Sequence, residues 1–338
     1  MSAGAQFYIT TIAVYAGVDI IACWALNLQL GVAGVLNFSF IVFQAAGAYT
    51  AAVLTLGPTS TYSGFQHYTG GASLPFPLPF LAAAAVGGLL AVPIGLVALR
   101  RLRSDYQAVV MLVISVIATT VVTNDVGLFN GSAGLSLVPQ PLQGALGLSP
   151  LSYSWFYVGL TAVICLLVYL VVRRITASPF GRSLRAMRDN EQAIEALGRH
   201  VLGKRLIVMV IGGAIAALSG AVLVSFIGIW SPSAWDYPET LVFLAAVIIG
   251  GVGNNFGAVV GALIVPVAFA EGTRFLPQIG RPGLIEALQW VAIGALIIGF
   301  LWFAPQGLIR ERPRKFARPE DPERAGPRVL ATKSDQTS

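Results

Sequence analysis

The sequence predicts an all-α polytopic integral membrane protein with about 8–10 transmembrane helices, some of them broken or re-entrant. Only 11% of the 338 residues are charged and 56% are hydrophobic, whereas a soluble domain carries about 25% charged residues. Apolar runs of about 20 residues recur along the chain, and each is long enough to cross a hydrocarbon core of about 30 Å. The predicted spans are 7–28, 32–54, 78–99, 106–128, 153–172, 205–229, 241–252, 256–272 and 284–304, and polar and small residues interrupt the second of them.

Two of these spans, 241–252 and 256–272, are short, and Gly253-Asn254-Asn255 joins them. They are either a broken helix pair or a re-entrant hairpin, and the pattern does not choose between the two. The stretch Gly250–Asn255 is poor in helix formers although apolar sequence surrounds it. Irregular backbone at membrane depth is tolerated only where protein or a water-filled cavity surrounds it.

We therefore hypothesise that this stretch borders a translocation route. A faint echo of it occurs at residues 31–38, where Gly31, Gly34 and Asn37 precede Phe38. Transporters often contain such internal repeats with interrupted helices. The hypothetical pathway residues are Asn27, Asn37, Gly250, Gly251, Gly253, Asn254 and Asn255.

The basic residues predict the orientation of the chain. Of the 21 Lys and Arg residues, 19 fall in three clusters, at 100–103, 173–205 and 310–333. If the spans hold, all three clusters lie on one side of the membrane. Because cytoplasmic loops collect Lys and Arg, these segments are predicted to be cytoplasmic, and the uncharged loops 55–77 and 129–152 face outside. The net charge of +6 is thus a topology signal and not a nucleic-acid footprint, since no basic stripe with interleaved aromatics occurs.

The chain divides into a membrane domain, 1–305, and a polar tail, 306–338, whose composition predicts disorder. We expect no cleaved signal peptide, because no basic segment precedes the first apolar run. Cys23 and Cys165 lie in apolar spans and are expected to be packing residues, with no metal site. No catalytic constellation is found. The near-match to a phosphate-binding loop at 198–205 ends in Arg205 where Ser or Thr must hold Mg²⁺, so nucleotide binding by this chain is rejected.

Residues 178–198 predict a charged amphipathic helix between two membrane spans. Ser178 is suited to the N-cap, Pro179 to the first helical position and Gly198 to the C-terminal stop. Arg185 can pair with Asp189, and Arg188 with Glu191. The helix is either a docking helix whose apolar residues enter a groove on a soluble partner or an interfacial helix lying on lipid headgroups. Composition alone does not separate these readings.

Several separated motifs resemble the permease subunits of ABC importers for branched-chain amino acids, in particular the M-type subunit. The similar stretches cover about residues 25–305 in the family's order: Leu26-Asn27 to Gly31, Ala33-Gly34, Gly47–Thr50, Gly131–Leu135 with Pro139, 178–198 with Lys204, Gly212–Ala214, Gly220-Ala221, Pro232, Ile249–Gly257 and Gly261-Ala262. One departure is Ser39-Phe40, where many members of the family carry Gly-His.

The resemblance implies a complex and gives segment 173–204 a role in it. A second permease subunit, two cytoplasmic ATPase subunits and an extracytoplasmic solute-binding protein are the implied partners, in a bacterial cytoplasmic (inner) membrane. By this resemblance, segment 173–204 couples the permease to an ATPase. The implied polar contacts are Arg182, Arg185, Arg188, Asp189 and Glu191, and the implied apolar face is Phe180, Leu184 and Met187.

Three alternatives remain at this stage. The family also includes urea and amide importers, so the cargo is open. An ion-coupled carrier would place carboxylates at the midplane, and Asp19, Asp125, Glu271 and Glu286 are the ionisable residues inside the predicted spans, with Asp19 and Glu286 the deepest. A membrane scaffold would not need the glycine-rich interruptions.

Overall fold

The computed structural model describes residues 3–58, 66–100, 104–198, 200–270, 284–304 and 306–311. These residues are almost entirely helical, and their β-structure is confined to isolated bridges. The helices are α1 (Ala3–Leu26), α2 (Phe40–Leu56), α3 (Leu78–Leu99), α4 (Ser104–Asn124), α5 (Val126–Phe129), α6 (Gln143–Leu146), α7 (Pro150–Ala177), α8 (Pro179–Asp189), α9 (Glu191–Ala196), α10 (Val201–Ile227), α11 (Tyr237–Gly250), α12 (Asn255–Ala262) and α13 (Leu284–Phe303).

Each predicted span coincides with a helix in the described part of the chain, which confirms the predicted fold class. Five helices of the described part are long and apolar enough to cross a membrane, and three further apolar helices are shorter. Two helices continue as π-helices, α1 through Asn27–Val32 and α12 through Leu263–Ala270. The main departure is the second span, predicted over 32–54, because the chain from Ala33 to Ser39 is irregular and α2 begins at Phe40.

The spans 241–252 and 256–272 form a helical hairpin. Helix α11 ends at Gly250, residues 251–254 make the turn, and α12 begins at Asn255. Gly251 and Gly253 have φ of 123° and 83°, a backbone region that residues with a Cβ rarely adopt. The irregular backbone expected here is therefore present, as a tight turn between two helices.

Helix α2 lies in the middle of the bundle, where it packs against α3, α10, α4 and α11. Glycines let the backbones approach closely: a Cβ at Gly47 would collide with the carbonyl of Ala217, and one at Gly220 with the carbonyl of Gln44. The α11–α12 hairpin is packed in the same way through Gly261 and the carbonyl of Ala246. Small residues at helix–helix contacts favour close helix packing in membranes.

The ends of the bundle differ in composition. At one end, the bridges Tyr68–Phe129 and Leu135–Trp230 join loops without Lys or Arg. At the other end, the C-terminus of α3, the segment 173–205 and residues 306–311 lie together, and we call it the arginine-rich end. The described parts of the three basic clusters therefore lie at one end, as the sequence predicts.

Candidate functional site

The segment predicted as one helix, 178–198, is two helices with a break at Asn190. The Ser178 hydroxyl accepts a hydrogen bond of 3.2 Å from the Gly181 N–H, as an N-cap does, and Pro179 takes the first helical position. Gly198 follows the second helix with φ of 72°. Both predicted caps are thus confirmed, but the single helix is wrong: Asn190 is extended and its side chain caps α9 by accepting from the Ala193 N–H at 3.0 Å.

The apolar face of α8 is turned into this chain. Leu184 and Met187 are completely buried, and α8 packs against α7 and the π-helical continuation of α1. The expectation that these two side chains enter a partner's groove is wrong for this structure, because the chain's own helices already enclose them. Phe180 is half-buried against the same core.

The opposite face of α8 is open. Its exposed residues, Pro179, Arg182, Ala186 and Asp189, recur at helical spacing. Two of the predicted polar contacts, Arg182 and Asp189, thus lie on one accessible surface. Because the buried residues on its other face fix α8 to the bundle, we expect the exposed face of α8 to be rigid.

The ion pairs differ from those that the spacing predicts. Arg185 pairs with Glu311 at 3.2 Å, not with Asp189, and Arg188 pairs with Glu311 at 2.9 Å. Glu191 pairs with Arg205 of α10 at 2.7 Å, not with Arg188. Arg188 also lies 3.4 Å from Asp189, its neighbour in sequence. Long-range partners have replaced the local ones, because exposed pairs within a helix contribute only about 0.2–0.5 kcal/mol.

Arg188 reaches the end of the first helix as well. Its Nη1 donates to the carbonyl oxygen of Gly31. Its aliphatic stem lies against Gly34, which has φ of 70°, and a Cβ there would come within 2.9 Å of the Arg188 Cγ. One guanidinium thus bridges α8, the π-helical end of the first helix and Glu311.

The turn between α11 and α12 lies beside this arginine. The Gly253 N–H donates to Asn27 Oδ1 at 2.9 Å, and the Nδ2 of Asn27 donates to Asn255 Oδ1 at 3.4 Å. The Asn254 side chain caps α12 by accepting from the Phe256 N–H at 2.9 Å. The glycine-rich turn and its short echo at 31–38 are therefore in direct contact, since a Cβ on Gly31 would collide with the backbone of Gly253.

The structure brings together most of the hypothetical pathway residues, but Asn37 lies in a separate network. Asn37 donates to Gln29 Oε1 at 2.8 Å and accepts from the Ser39 hydroxyl at 2.8 Å. Asn27 and Asn37 are both buried within the chain. In this conformation their polar groups bond to the protein itself, so neither side chain lines an open route.

Sequence reasoning missed three residues that complete this site. The Trp24 Nε1–H donates to the Asn255 carbonyl at 2.9 Å. Thr176 accepts from Asn255 Nδ2 at 3.3 Å through its hydroxyl and from Arg185 at 2.9 Å through its carbonyl. Glu311 belongs to the segment assigned to a disordered tail. The sequence offers one indication for Glu311, namely a carboxylate close to the end of the last predicted span. No local pattern marks Trp24 or Thr176.

The remaining candidate groups are ionisable residues of the predicted spans. Asp125 is exposed and caps the short helix α5, accepting from the Gly127 N–H at 3.0 Å. Glu271 lies outside the described residues, as does the side chain of Glu286. Among the residues described, no group of three or more His, Cys, Asp or Glu could hold a metal ion.

Comparison with known proteins identifies the family. The profile described as "Branched-chain amino acid transport system / permease component" matches residues 8–301. The high-affinity branched-chain amino acid transport system permease protein LivM of Escherichia coli is 28% identical over 305 residues, which are 84% of this chain and 66% of that protein. The chain thus spans about two thirds of that relative's length.

Two further relatives agree with this assignment. The probable branched-chain amino acid transport permease protein LivM of Methanocaldococcus jannaschii is 28% identical over 331 residues, 90% of this chain and 94% of the relative. The permease protein LivH of Salmonella typhimurium is 27% identical over 262 residues, 74% of this chain and 80% of the relative. No solved structure matches the chain significantly. The chain belongs to the family of permease components of branched-chain amino-acid transport systems.

Proposed function

We propose that this chain is the M-type permease subunit of an ATP-binding-cassette importer and that it forms the route for branched-chain or other small aliphatic amino acids. Separate ATPase subunits supply the energy, and this chain itself catalyses no reaction. The single observation that carries the proposal is α8, a capped helix anchored in the bundle that presents an exposed polar face beside the arginine-rich end. The family and the names of the relatives support the same function.

The second subunit of the route is a related permease. The relatives named LivM and LivH are both permease proteins of a high-affinity branched-chain amino acid transport system, and both are similar to this chain. This similarity supports a pair of homologous permeases, one of each type, flanking the route. Two ATPases on the cytoplasmic side and a solute-binding protein on the other side complete the complex.

The ATPase contacts the exposed face of α8, with Arg182 and Asp189 as its polar anchors. Arg185 and Arg188 act behind this face, because both are engaged by groups of the chain itself. Glu191 holds the α8–α9 unit to α10 through Arg205. This division of labour refines the role expected for segment 173–204.

The turn 251–254 borders the cytoplasmic end of the route in this proposal. Its two positive-φ glycines and the capping Asn254 support this place, since they create irregular backbone where two membrane helices meet. Replacement of Gly251 or Gly253 by Leu is expected to abolish uptake and leave membrane insertion intact. Normal uptake by both variants would contradict the proposal that the turn borders the route.

The protein lies in the cytoplasmic membrane, with the arginine-rich end inside the cell. The concentration of Arg at that end supports this orientation. Urea or short amides remain the second cargo class, because the family also includes importers of these solutes, and Ser39-Phe40 in place of the Gly-His of many members bears on substrate preference. An ion-coupled carrier would need neither an ATPase nor α8.

Reconstitution of the complete complex in proteoliposomes tests the proposal. We expect uptake of radiolabelled leucine, isoleucine or valine that requires internal-side ATP and the binding protein, with urea as the competing cargo. Uptake by this chain alone, driven by a proton or sodium gradient, would contradict the proposal. Arg182→Glu is expected to reduce copurification of the ATPase, whereas His67→Glu, an exposed change at the opposite end, should leave it unchanged.

A further inference from the structure

Residues 306–311, which we call the C-terminal strap, bind along the turn of the α11–α12 hairpin. The Leu308 N–H donates to the Ile249 carbonyl at 2.8 Å, and the Ile309 N–H donates to the Gly250 carbonyl at 3.1 Å. The Asn254 side chain donates to the Arg310 carbonyl at 3.2 Å. The strap therefore satisfies carbonyl groups at the C-terminus of α11, which have no partner within their own helix.

Glycines make room for this contact on both sides. A Cβ on Gly251 would collide with the Ile309 carbonyl, and one on Gly307, which has φ of 68°, would lie within 2.5 Å of the Gly251 Cα. Backbone approach this close leaves little freedom for the strap to shift without the turn. The strap and the turn thus form one mechanical unit.

Glu311 ends the strap and connects this unit to α8. Its two carboxylate oxygens pair with different arginines of α8. Oε1 forms an ion pair with Arg185 Nε at 3.2 Å, and Oε2 accepts a hydrogen bond from Arg188 Nη2 at 2.9 Å. The three side chains are between 23% and 30% exposed. Pairs this accessible add little to static stability, so the informative feature is what the bridge connects.

The ion pairs of Glu311 connect α8, whose exposed face is the proposed ATPase contact, with the strap and so with the turn 251–254. The hydrogen bond from Arg188 to Gly31 connects α8 with the π-helical end of the first helix. Arg188 holds the Gly31 carbonyl on one side and Glu311 on the other. Two chains of contacts therefore link α8 to the turn, one through residues 31–34 and one through the strap. A displacement of α8 must either move the residues of both chains or break the ion pairs of Glu311.

We infer that Glu311 is a positioning residue for transport: it latches α8 to the strap and so transmits the movement of the ATPase to the turn 251–254. This inference rests on the proposed function of the chain. It assigns a mechanical role to a residue in a segment that composition alone marks as a solvated tail. Glu311 contacts no substrate and acts only through Arg185, Arg188 and the strap.

The ratio of solute imported to ATP hydrolysed tests this role, because a merely structural contact would not alter it. In proteoliposomes that hold the full complex, Glu311→Gln is expected to lower this ratio severalfold while hydrolysis continues. Glu311→Asp should recover part of the ratio. Asp125→Asn, which removes an exposed carboxylate at the opposite end of the bundle and keeps a capping oxygen for α5, is the matched control and should behave as the wild type.

Two truncations give an independent readout. A chain that ends at Glu311 keeps every contact described above and is expected to retain the wild-type ratio, whereas a chain that ends at residue 305 should hydrolyse ATP with little import. An unchanged ratio in Glu311→Gln and in the chain ending at 305 would overturn the inference. So would failure of the Glu311→Gln chain to assemble with the ATPases, since that result assigns Glu311 to assembly. Absence of ATP-dependent uptake by the wild-type complex would instead refute the proposed function.

Discussion

Asn27 and Gly253 are joined by a hydrogen bond of 2.9 Å although they lie 226 residues apart in the chain. The side chain comes from the start of the π-helix that ends the first membrane helix, and the N–H comes from the turn of the α11–α12 hairpin. Asn27 is fully buried and Gly253 is partly buried. This bond fixes the π-helical end of the first membrane helix against the turn between α11 and α12.

Replacement of Asn27 by Ala is expected to destabilise the protein, because the Gly253 N–H loses its acceptor. The net contribution of such a hydrogen bond is about 0.5–1.5 kcal/mol. Thermal unfolding of the purified protein in detergent measures the effect as a lower midpoint. Asn124→Ala removes an exposed amide that bonds only to its own helix and should shift the midpoint far less; equal shifts for the two variants would argue against the assigned bond.

A methyl group at Gly261 is expected to force α11 and α12 apart, since it would collide with the Ala246 carbonyl. Overpacking of this kind costs about 1–3 kcal/mol. Gly159→Ala is the matched control, because a Cβ at that exposed helical position meets no atom within 4 Å. The two variants should differ clearly in thermal midpoint, and a neutral Gly261→Ala would mean that the hairpin is packed more loosely than described.

Asn190→Ala is expected to weaken association with the ATPase, because α9 loses its N-cap and the break between α8 and α9 is no longer held. Such caps contribute about 0.5–2 kcal/mol. Asn190→Ser keeps a capping oxygen and should retain association. Copurification of the ATPase with each variant provides the measurement, and identical yields from Ala and Ser would exclude a role for the cap.

Single cysteines are expected to report the orientation of the bundle. Thr69→Cys lies on an exposed part of the end without Lys or Arg, and Ala193→Cys lies on exposed α9. A membrane-impermeant maleimide added to intact cells should label the first and should label the second only after permeabilisation. Because the chain has two cysteines, Cys23 and Cys165, a cysteine-free background needs only two substitutions. The reverse labelling pattern would invert the proposed topology.

Features that depend on neighbouring residues could be predicted from the sequence. Hydropathy located the long helices, and the short-range chemistry of Ser178 and Gly198 predicted the caps correctly. The break at Asn190 was missed although Asn is a good N-cap, because the apolar spacing continues across it and favours one helix.

The contacts that assemble the site could not be predicted in this way. Spacing paired Arg185 with Asp189, but Glu311 lies closer once the last helix returns to the arginine-rich end. The burial of Leu184 was likewise misassigned to a partner, since an apolar helical face does not reveal which surface covers it. Composition also ended the membrane domain at 305, six residues short of the last described contact; residues 312–338 lie outside the described part.

Helix α2 has a consequence for how this protein meets its bilayer. At 17 residues it is shorter than the roughly 20 that a span requires, yet nearly all of its side chains are enclosed by neighbouring helices. A helix shielded from lipid has no hydrophobic mismatch to relieve, so neither thinning of the membrane nor tilt is needed to accommodate it. The length of α2 is thus free of the constraint that applies to α3, α7 and α10, which have 22, 28 and 27 residues and are long enough to cross the membrane.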